Sequence, residues 1–428
     1  MSEWQETTLE IIAEPVKEGW KPDKNDIKPY IGLEHIEQEK LRLNSVGSSD
    51  QVISNKFAFE SGDILFGKLR PYFRKVVRTN FSGVCSTDIW VMRAKQGFEQ
   101  SWLLYFMADW DFINLANGGE GGSRMPRADW NFLKSTVWNV PPLPEQQAIA
   151  EVLSSLDDKI DLLHRQNQTL EALAETLFRQ WFIEEADPEW EEKPLAYFAE
   201  NRREGLKPSE LVTEIPYVGL EHITPKSLTL NHFGSSKDVT SQKFRFSEND
   251  ILFGKLRPYF HKVCLSPLDG CCSTDILVIR PKKPEWLGFC VFAFFQKSVI
   301  DFVDGGSEGT RMPRTSWDVL STYKITIPND EKVVQFHEAV MPSIEKMKQN
   351  RMQIQSLEKT RDELLPKLMS GEVRVGGDRI APQTNHGTIQ IGRMQSAPTN
   401  DDHNGTMQSA PTNDDDNGRM PPNGTEKT

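Results

Sequence analysis

The sequence predicts an α+β chain. Two similar mixed, largely β domains are separated by two long antiparallel helices in a coiled coil, an approximate two-fold relates the halves, and a disordered C-terminal tail follows. Three observations predict it. The eleven residues Asp63-Ile-Leu-Phe-Gly-Lys-Leu-Arg-Pro-Tyr-Phe73 return unchanged at Asp250–Phe260, 187 positions on (63 against 250). A run from Glu145 to Phe182 contains neither Gly nor Pro and repeats apolar residues at spacings of four and three, the pattern of a helix lying along a partner helix. From about Gly376 the chain turns to Gly, Asn, Thr, Asp and Pro, and Met394–Asp402 is repeated at Met407–Asp415. Such a composition buries too little apolar surface to fold.

The same offset recurs well beyond the first motif. Tyr30-Ile-Gly-Leu-Glu-His-Ile36 returns as Tyr217–Ile223, Cys85–Ile89 as Cys272–Ile276, and Arg124-Met-Pro-Arg127 as Arg311–Arg314. Trp4 and Leu9 are echoed by Trp190 and Leu195, one residue out of phase. A period this long marks a duplicated domain, because solenoid repeats run at roughly 20–50 residues. The boundaries that follow are a first domain over 1–142, a central helix over 143–185, a second domain over 186–329, a distal helix over 330–373 and the tail over 374–428.

Within the first domain, Ile64–Leu69, Lys75–Arg78 and Ile89–Met92 read as short strands punctuated by Gly, Asn, Ser and Pro. Ser101–Trp110 reads as a helix before the glycine loop Gly118–Gly122. In the second copy the helix begins at Gly288 and the loop is Gly305–Gly309. The seam of the central helix is Ile149, Leu153, Leu156, Ile160, Leu163, Asn167, Leu170, Ala174, Leu177 and Trp181. At ~1.5 Å per residue this helix spans on the order of 57 Å. The same offset gives Met347, Asn350, Ile354, Leu357, Arg361, Leu364 and Leu368 on the distal helix, with Pro366 expected to kink or stop it. Two readings of Asn167 stand: a polar residue fixing register, or a solvated break in a looser pair.

The formal net charge of −12 over 428 residues argues against a uniformly basic nucleic-acid binder, but the charge is unevenly placed. Glu184–Glu192 holds six acids and no base. Lys56–Arg78 holds six Lys/Arg against two acids, and Lys243–Lys262 five against two. Basic stripes inside each copy suit local phosphate binding by an otherwise acidic protein. The five cysteines show no C-x-x-C spacing, so neither a disulfide framework nor a zinc site is expected. With no signal-like start and no apolar run of membrane-spanning length, a soluble cytoplasmic protein is expected.

If Ile64–Phe73 is a strand ending in a turn at Arg70-Pro71, alternation puts Phe66, Lys68 and Arg70 on one face. Tyr72 and Arg74 extend that strip, and Lys255, Arg257, Tyr259 and His261 repeat it. Two cations beside an aromatic suit a polyanion's backbone, and arginine also reads guanine edges. The alternative is a solvated basic strand with Phe66 turned inward. Arg124 and Arg127, with Arg311 and Arg314, follow glycine-rich loops that let backbone approach a phosphate. The alternative there is a flexible turn of salt-bridged arginines. His35 and His222 read as structural or contact residues, and Trp130 and Trp317 as core anchors. Asn139-Val-Pro-Pro-Leu is not an adenine-methyltransferase motif, since a valine interrupts it and no aromatic follows. No catalytic constellation is found, and no metal site.

Taken together, Trp4…Leu9, Gly62–Tyr72, Ser86-Thr-Asp88 and Pro141-Pro-Leu-Pro-Glu-Gln-Gln147 opening a long helix, duplicated or in degenerate second form, resemble the specificity subunit of type I restriction–modification enzymes over roughly residues 4–373. The resemblance implies two target-recognition domains on an antiparallel coiled coil, reading two half-sites of double-stranded DNA. It implies no catalysis by this chain and no cofactor of its own. Modification subunits would bring S-adenosylmethionine and the methyltransferase chemistry, and restriction subunits ATP, Mg and the nuclease. Pro328-Asn-Asp-Glu331 departs from the pattern as a poor copy of Pro142-Leu-Pro-Glu145, and the acidic tail departs from it too. Because the copies are alike, a bipartite, partly palindromic target is expected. Discrimination is expected where the copies differ: Arg74 against His261, Trp90 against Leu277, and Ala128-Asp129 against Thr315-Ser316. A self-contained methyltransferase or nuclease of atypical motif, and a duplicated protein-binding adaptor, are the competing readings.

Overall fold

The computed structural model describes residues 3–118, 125–210, 213–305, 313–327, 329–375 and 381–382. The chain divides into two units, Met1–Gln383 and Thr384–Thr428, and the second lies outside the described residues.

Each domain is built twice over to one plan. Alternation in Ile64–Gly67 and Ile89–Ala94 makes these strands two-faced, and they pair antiparallel at the centre of a four-stranded sheet between Ala13–Val16 and Val76–Arg78. Its partner has five strands in the order Gly19–Trp20, Lys56–Phe59, Gly83–Cys85, Pro29–Ile31, Gly47–Ser48, with one parallel pairing between Pro29–Ile31 and Gly83–Cys85. The second domain repeats both sheets: Ala199–Arg202, Ile276–Pro281, Ile251–Gly254, Val263–Leu265, then Gly205–Leu206, Lys243–Phe246, Gly270–Cys272, Pro216–Val218, Gly234–Ser235. Leu65, Ile89 and Val91 fill the space between the sheets with Ile31 and Phe59. Ile64, Phe66, Trp90 and Met92 point the other way, against the helices Gln100–Ala108 and Trp110–Gly118.

The central helix runs over Leu143–Arg179 and continues as a π-turn to Glu184; the distal helix runs over Asp330–Met369. They pack antiparallel. Asp157 meets Arg361 and Asn167 meets Asn350, so partner numbers fall as helix numbers rise. Only the middle behaves as a two-helix seam, where Ile160, Leu163, Ile354 and Leu357 form their own cluster. Toward the ends each helix turns into a domain core: Ile149, Leu153, Leu365 and Leu368 into the first, Phe178, Phe182, Phe336 and Ile344 into the second.

Three expectations shift. Beyond Asn167 the buried positions are Glu171, Ala174 and Phe178, while Leu170 and Leu177 are half-buried; Leu156 and Leu364 are half-buried too. A straight helix drifts away from a strict heptad, and here the drift carries it into the second domain's core. Pro366 does not stop the distal helix, which runs on to Met369 and carries Pro342 in its interior as well. The fold also passes residue 374: Val373–Arg374 pairs with Ala381–Pro382, and Arg374 forms an ion pair with Glu145 and lies 5.3 Å over Trp4. Most of the tail, like Pro328, lies outside the described residues. No single helix among them is long and apolar enough to cross a membrane.

Candidate nucleic-acid interface

The strand Ile64–Gly67 ends where the chain must pass close to other backbone. A Cβ on Gly67 would lie 2.8 Å from Leu33 Cδ2 and 3.3 Å from the Lys75 carbonyl, and Gly254 repeats this against Leu220 and Lys262. Three segments are then knitted together by main-chain bonds. Lys68 N donates to the Asp88 carbonyl (2.9 Å), Arg70 N to the Pro126 carbonyl (2.8 Å) and Ala128 N to the Lys68 carbonyl (2.9 Å). Arg70 (φ 53°) and Arg74 (φ 48°) are left-handed on either side of the turn Pro71–Phe73, as are Arg257 (50°) and His261 (52°) around Pro258–Phe260. Left-handed backbone costs a non-glycine residue roughly 1–2 kcal/mol, and strain of this kind gathers at functional turns.

This knot concentrates cations. Burial first, then Arg127 and Lys17, pull the Lys68 ammonium below its ordinary pKa, while Asp88 opposes them. Arg127 Nη2 lies 3.1 Å from Asp88 Oδ1 with its side chain 56% exposed, so its remaining N–H groups stay open to an anion. Arg70 is half-buried and Tyr72 is exposed. The second domain rebuilds the arrangement. Lys255 N donates to the Asp275 carbonyl and Arg257 N to the Pro313 carbonyl (both 2.8 Å), Arg314 Nη2 is 2.5 Å from Asp275 Oδ1, and Tyr259 is exposed. Lys255 is shifted down for the same reasons, with Arg203 in the place of Lys17.

Several expected surface residues sit elsewhere. Phe66 is core and the strand stops before Lys68, so the strip is a turn-built cluster and not one strand face. Arg74 is 3% exposed; its Nε donates to the Ala108 carbonyl (2.6 Å) and its guanidinium lies 5.4 Å over Trp110. His261 is buried too, its ring 4.5 Å from Phe295, and burial lowers its pKa, which keeps it neutral near pH 7. Trp90, Leu277, Ala128 and Thr315 are buried as well. Asp129 and Ser316 cap short helices, accepting from Asn131 N and Val319 N. The positions expected to discriminate are thus interior or capping residues. Arg124, Arg311 and nearly all of both glycine loops lie outside the described residues.

His35 and His222 are built in. Each Nδ1 accepts a hydrogen bond from Gly32 N or Gly219 N (2.9 and 2.8 Å), closing a helical turn, and each ring meets Tyr30 or Tyr217 edge-on. A cleft of about 380 Å³ is lined by Tyr30, Glu34, His35, Gln51, Ile53 and Lys56. Trp130 and Trp317 are half-buried at the edge of each core. Sequence reasoning passed over Lys17 and Arg203. The pair is 186 apart, in the same one-residue phase slip as Trp4 and Trp190, and following that slip would have found it. Among the described residues no group of His, Cys, Asp and Glu could hold a metal ion.

Residues 1–172 match the family model described as the type I restriction modification DNA specificity domain. The chain is 27% identical over 310 residues to the type I restriction enzyme MjaIX specificity subunit of Methanocaldococcus jannaschii, covering 66% of this chain and 71% of that one. It is 29% identical over 184 residues to the EcoDI specificity subunit of Escherichia coli, covering 41% of each. In fold it is similar to the S subunit of a type I restriction–modification system from M. genitalium, with a TM-score of 0.50 and 16% identity over 85% of this chain and 96% of that one. With its two matching domains on an antiparallel helix pair, the chain is similar to the specificity subunits of type I restriction–modification systems, and its residues 1–172 carry their DNA specificity domain.

Proposed function

We infer that this chain is the DNA-reading, non-catalytic subunit of a type I restriction–modification complex. Each domain engages one half of a bipartite duplex target, and the helix pair sets the unread spacer and carries the other subunits. The observation that supports this most directly is the rebuilt cation knot. Lys68, Arg70 and Arg127 around Asp88 reappear as Lys255, Arg257 and Arg314 around Asp275, at opposite ends of the helix pair. An acid that holds one edge of an arginine orients its other edge, so a phosphate meets a preset donor. Modification subunits bearing S-adenosylmethionine and restriction subunits using ATP and Mg supply the chemistry, and the assembly works in the cytoplasm. The test is methyl transfer to duplex DNA. Chain plus modification subunits transfers methyl groups to defined sites, and the chain alone binds DNA without turnover. Turnover by the chain alone would favour a self-contained enzyme, and DNA affinity indifferent to salt would favour a protein-binding adaptor.

A further inference from the structure

A cluster that holds phosphate carries no base sequence, so any reading must come from exposed side chains beside it. Near the cation knot, Lys17 against Arg203 keeps a cation and Asp129 against Ser316 keeps a helix cap. The cleft that contains Tyr30 shows a difference of another kind. Ser86 N donates to the Ile31 carbonyl (2.9 Å), and Ser86 Oγ accepts from Asp88 N (3.2 Å). One residue thus ties the strand that carries Tyr30 to the acid at the centre of the knot. Ser273 does the same between Val218 and Asp275 (2.9 and 3.2 Å). A short loop lines this cleft and is pinned at both ends. At its start Asp50 N donates to Ser48 Oγ (3.5 Å) and Lys28 N to Ser49 Oγ (2.9 Å). At its end Lys56 Nζ, 5.8 Å over the Tyr30 ring, donates to Ser54 Oγ (2.6 Å) and to the Ser54 carbonyl (3.2 Å). The second domain repeats both pins. Lys237 N donates to Ser235 Oγ (3.1 Å), Ile215 N to Ser236 Oγ (3.0 Å), and Lys243 Nζ to Ser241 Oγ (2.7 Å) and the Ser241 carbonyl (3.2 Å). Between the pins the residues change: Asp50-Gln-Val-Ile53 stands against Lys237-Asp-Val-Thr240. Asp50 and Gln51 are exposed, and Ile53 is 97% exposed. An isoleucine held that far into water adds nothing to the core.

We propose that residues 50–53 and 237–240 read base edges, each loop for its own half of the target, while the neighbouring knot holds the phosphate backbone. A constant frame with a changed insert is the arrangement that lets two like domains prefer unlike base pairs. Gln51 offers a donor and an acceptor in one fork, the pattern that matches adenine N6 and N7, and the methyls of Ile53 suit the thymine methyl. The first loop therefore favours A·T pairs. A carboxylate only accepts, so aspartate at position 51 turns that preference toward the cytosine amino group. This rests on the DNA-reading function proposed above, and the experiment separates the two.

Selection from a duplex library randomised over both half-sites, with the full complex of this chain and its modification subunits, reads the preference at each base pair. The variants are Gln51→Asp, Ile53→Thr and the full exchange Asp50→Lys, Gln51→Asp, Ile53→Thr, all at exposed positions. The expected result is that each variant shifts the preference at one or two base pairs of one half by about fivefold or more and leaves the other half untouched. The full exchange moves those base pairs to the ones the other half carries at the equivalent places. A motif identical in parent and variants would overturn the proposal and leave the DNA-reading function standing. Uniform weakening on every duplex would overturn it too, since that is the mark of phosphate contacts. A parent complex that selects no motif would remove the DNA-reading function and the proposal together.

Discussion

Arg361 offers a perturbation whose outcome the molecule has already rehearsed. Its side chain is 1% exposed and the guanidinium bonds to Asp157 Oδ1 (2.8 Å) and Asp362 Oδ1 (3.0 Å), while Tyr105 Oη donates to the other oxygen of Asp157 (2.7 Å). The equivalent positions across the repeat are Phe292, Ile344 and Ala174, all buried and apolar. Removing the cation with Arg361→Met keeps the stem and leaves Asp157, already raised by burial, without its counter-ion. Breaking a buried pair costs ~3–5 kcal/mol. The Asp157 side chain is 23% exposed, which puts the expected loss near the lower end, at about 3 kcal/mol. The triple variant Tyr105→Phe, Asp157→Ile, Arg361→Met copies the apolar solution and should regain at least ~2 kcal/mol of that loss, since an ion pair replaced by packed apolar groups is close to neutral. Urea unfolding at pH 7, followed by tryptophan fluorescence, reads this as a midpoint lowered by roughly 1 M in the single variant and largely restored in the triple. A single variant within ~0.5 kcal/mol of the parent, or a triple no better than the single, would refute the assignment.

Three further outcomes follow from the same geometry. Alanine at Arg70 or Arg257 should weaken binding to all duplexes and flatten the slope of log affinity against log salt by about one unit each; an unchanged slope in a salt titration would take them off the interface. Burial raises the Glu171 carboxyl to about 7, its hydrogen bond from Leu228 N (3.0 Å) opposing. Because the folded value lies above the unfolded one, this group's stabilising contribution is full below about 4.5 and is lost as pH rises through about 7. The loss is on the order of 3 kcal/mol, so Glu171→Gln should flatten the urea midpoint between pH 5 and 8; parallel curves would contradict this. Asn167→Leu should cost ~1–3 kcal/mol by leaving the buried Asn350 amide only its longer bond to Gln166 Oε1 (3.3 Å), and adding Asn350→Leu should recover much of it; equal thermal midpoints for single and double variants would show that the amides are not coupled.

The duplicated fold was legible because the offset between copies is constant over most of the chain, and helix against strand followed from the period of the apolar residues. What misled was local pattern carried through a turn. Phe66, Lys68 and Arg70 alternate like a strand face, but Gly67 ends the strand and the left-handed backbone at Arg70 re-aims the rest. Arg74 reads as surface because it extends the basic strip past Tyr72, and the groups that bury it, Trp110 and Asp362, are distant in sequence. One signal was available. In a strip otherwise invariant between copies, Arg74 becomes His261, and a change confined to one position points to a changed neighbour and not to a changed ligand.

That signal generalises to what holds the two halves alike. A duplicated domain with no shared external partner would drift on its surface and keep its core, since surface substitutions cost little and core substitutions a great deal. Here the interior has been rewritten: Tyr105, Asp157 and Arg361 against Phe292, Ile344 and Ala174, and the paired Glu358–Lys40 against Glu171 beside Ser227. The exposed Arg127–Asp88 pair, worth at most about 1 kcal/mol to folding, is repeated as Arg314–Asp275. Stability does not explain keeping an exposed pair of so little value in both copies while a buried ion pair and a packed apolar cluster, close to equal in stability, have been exchanged. A single external partner, met by both domains in the same way, does, and the phosphate backbone of a duplex is a partner of that kind.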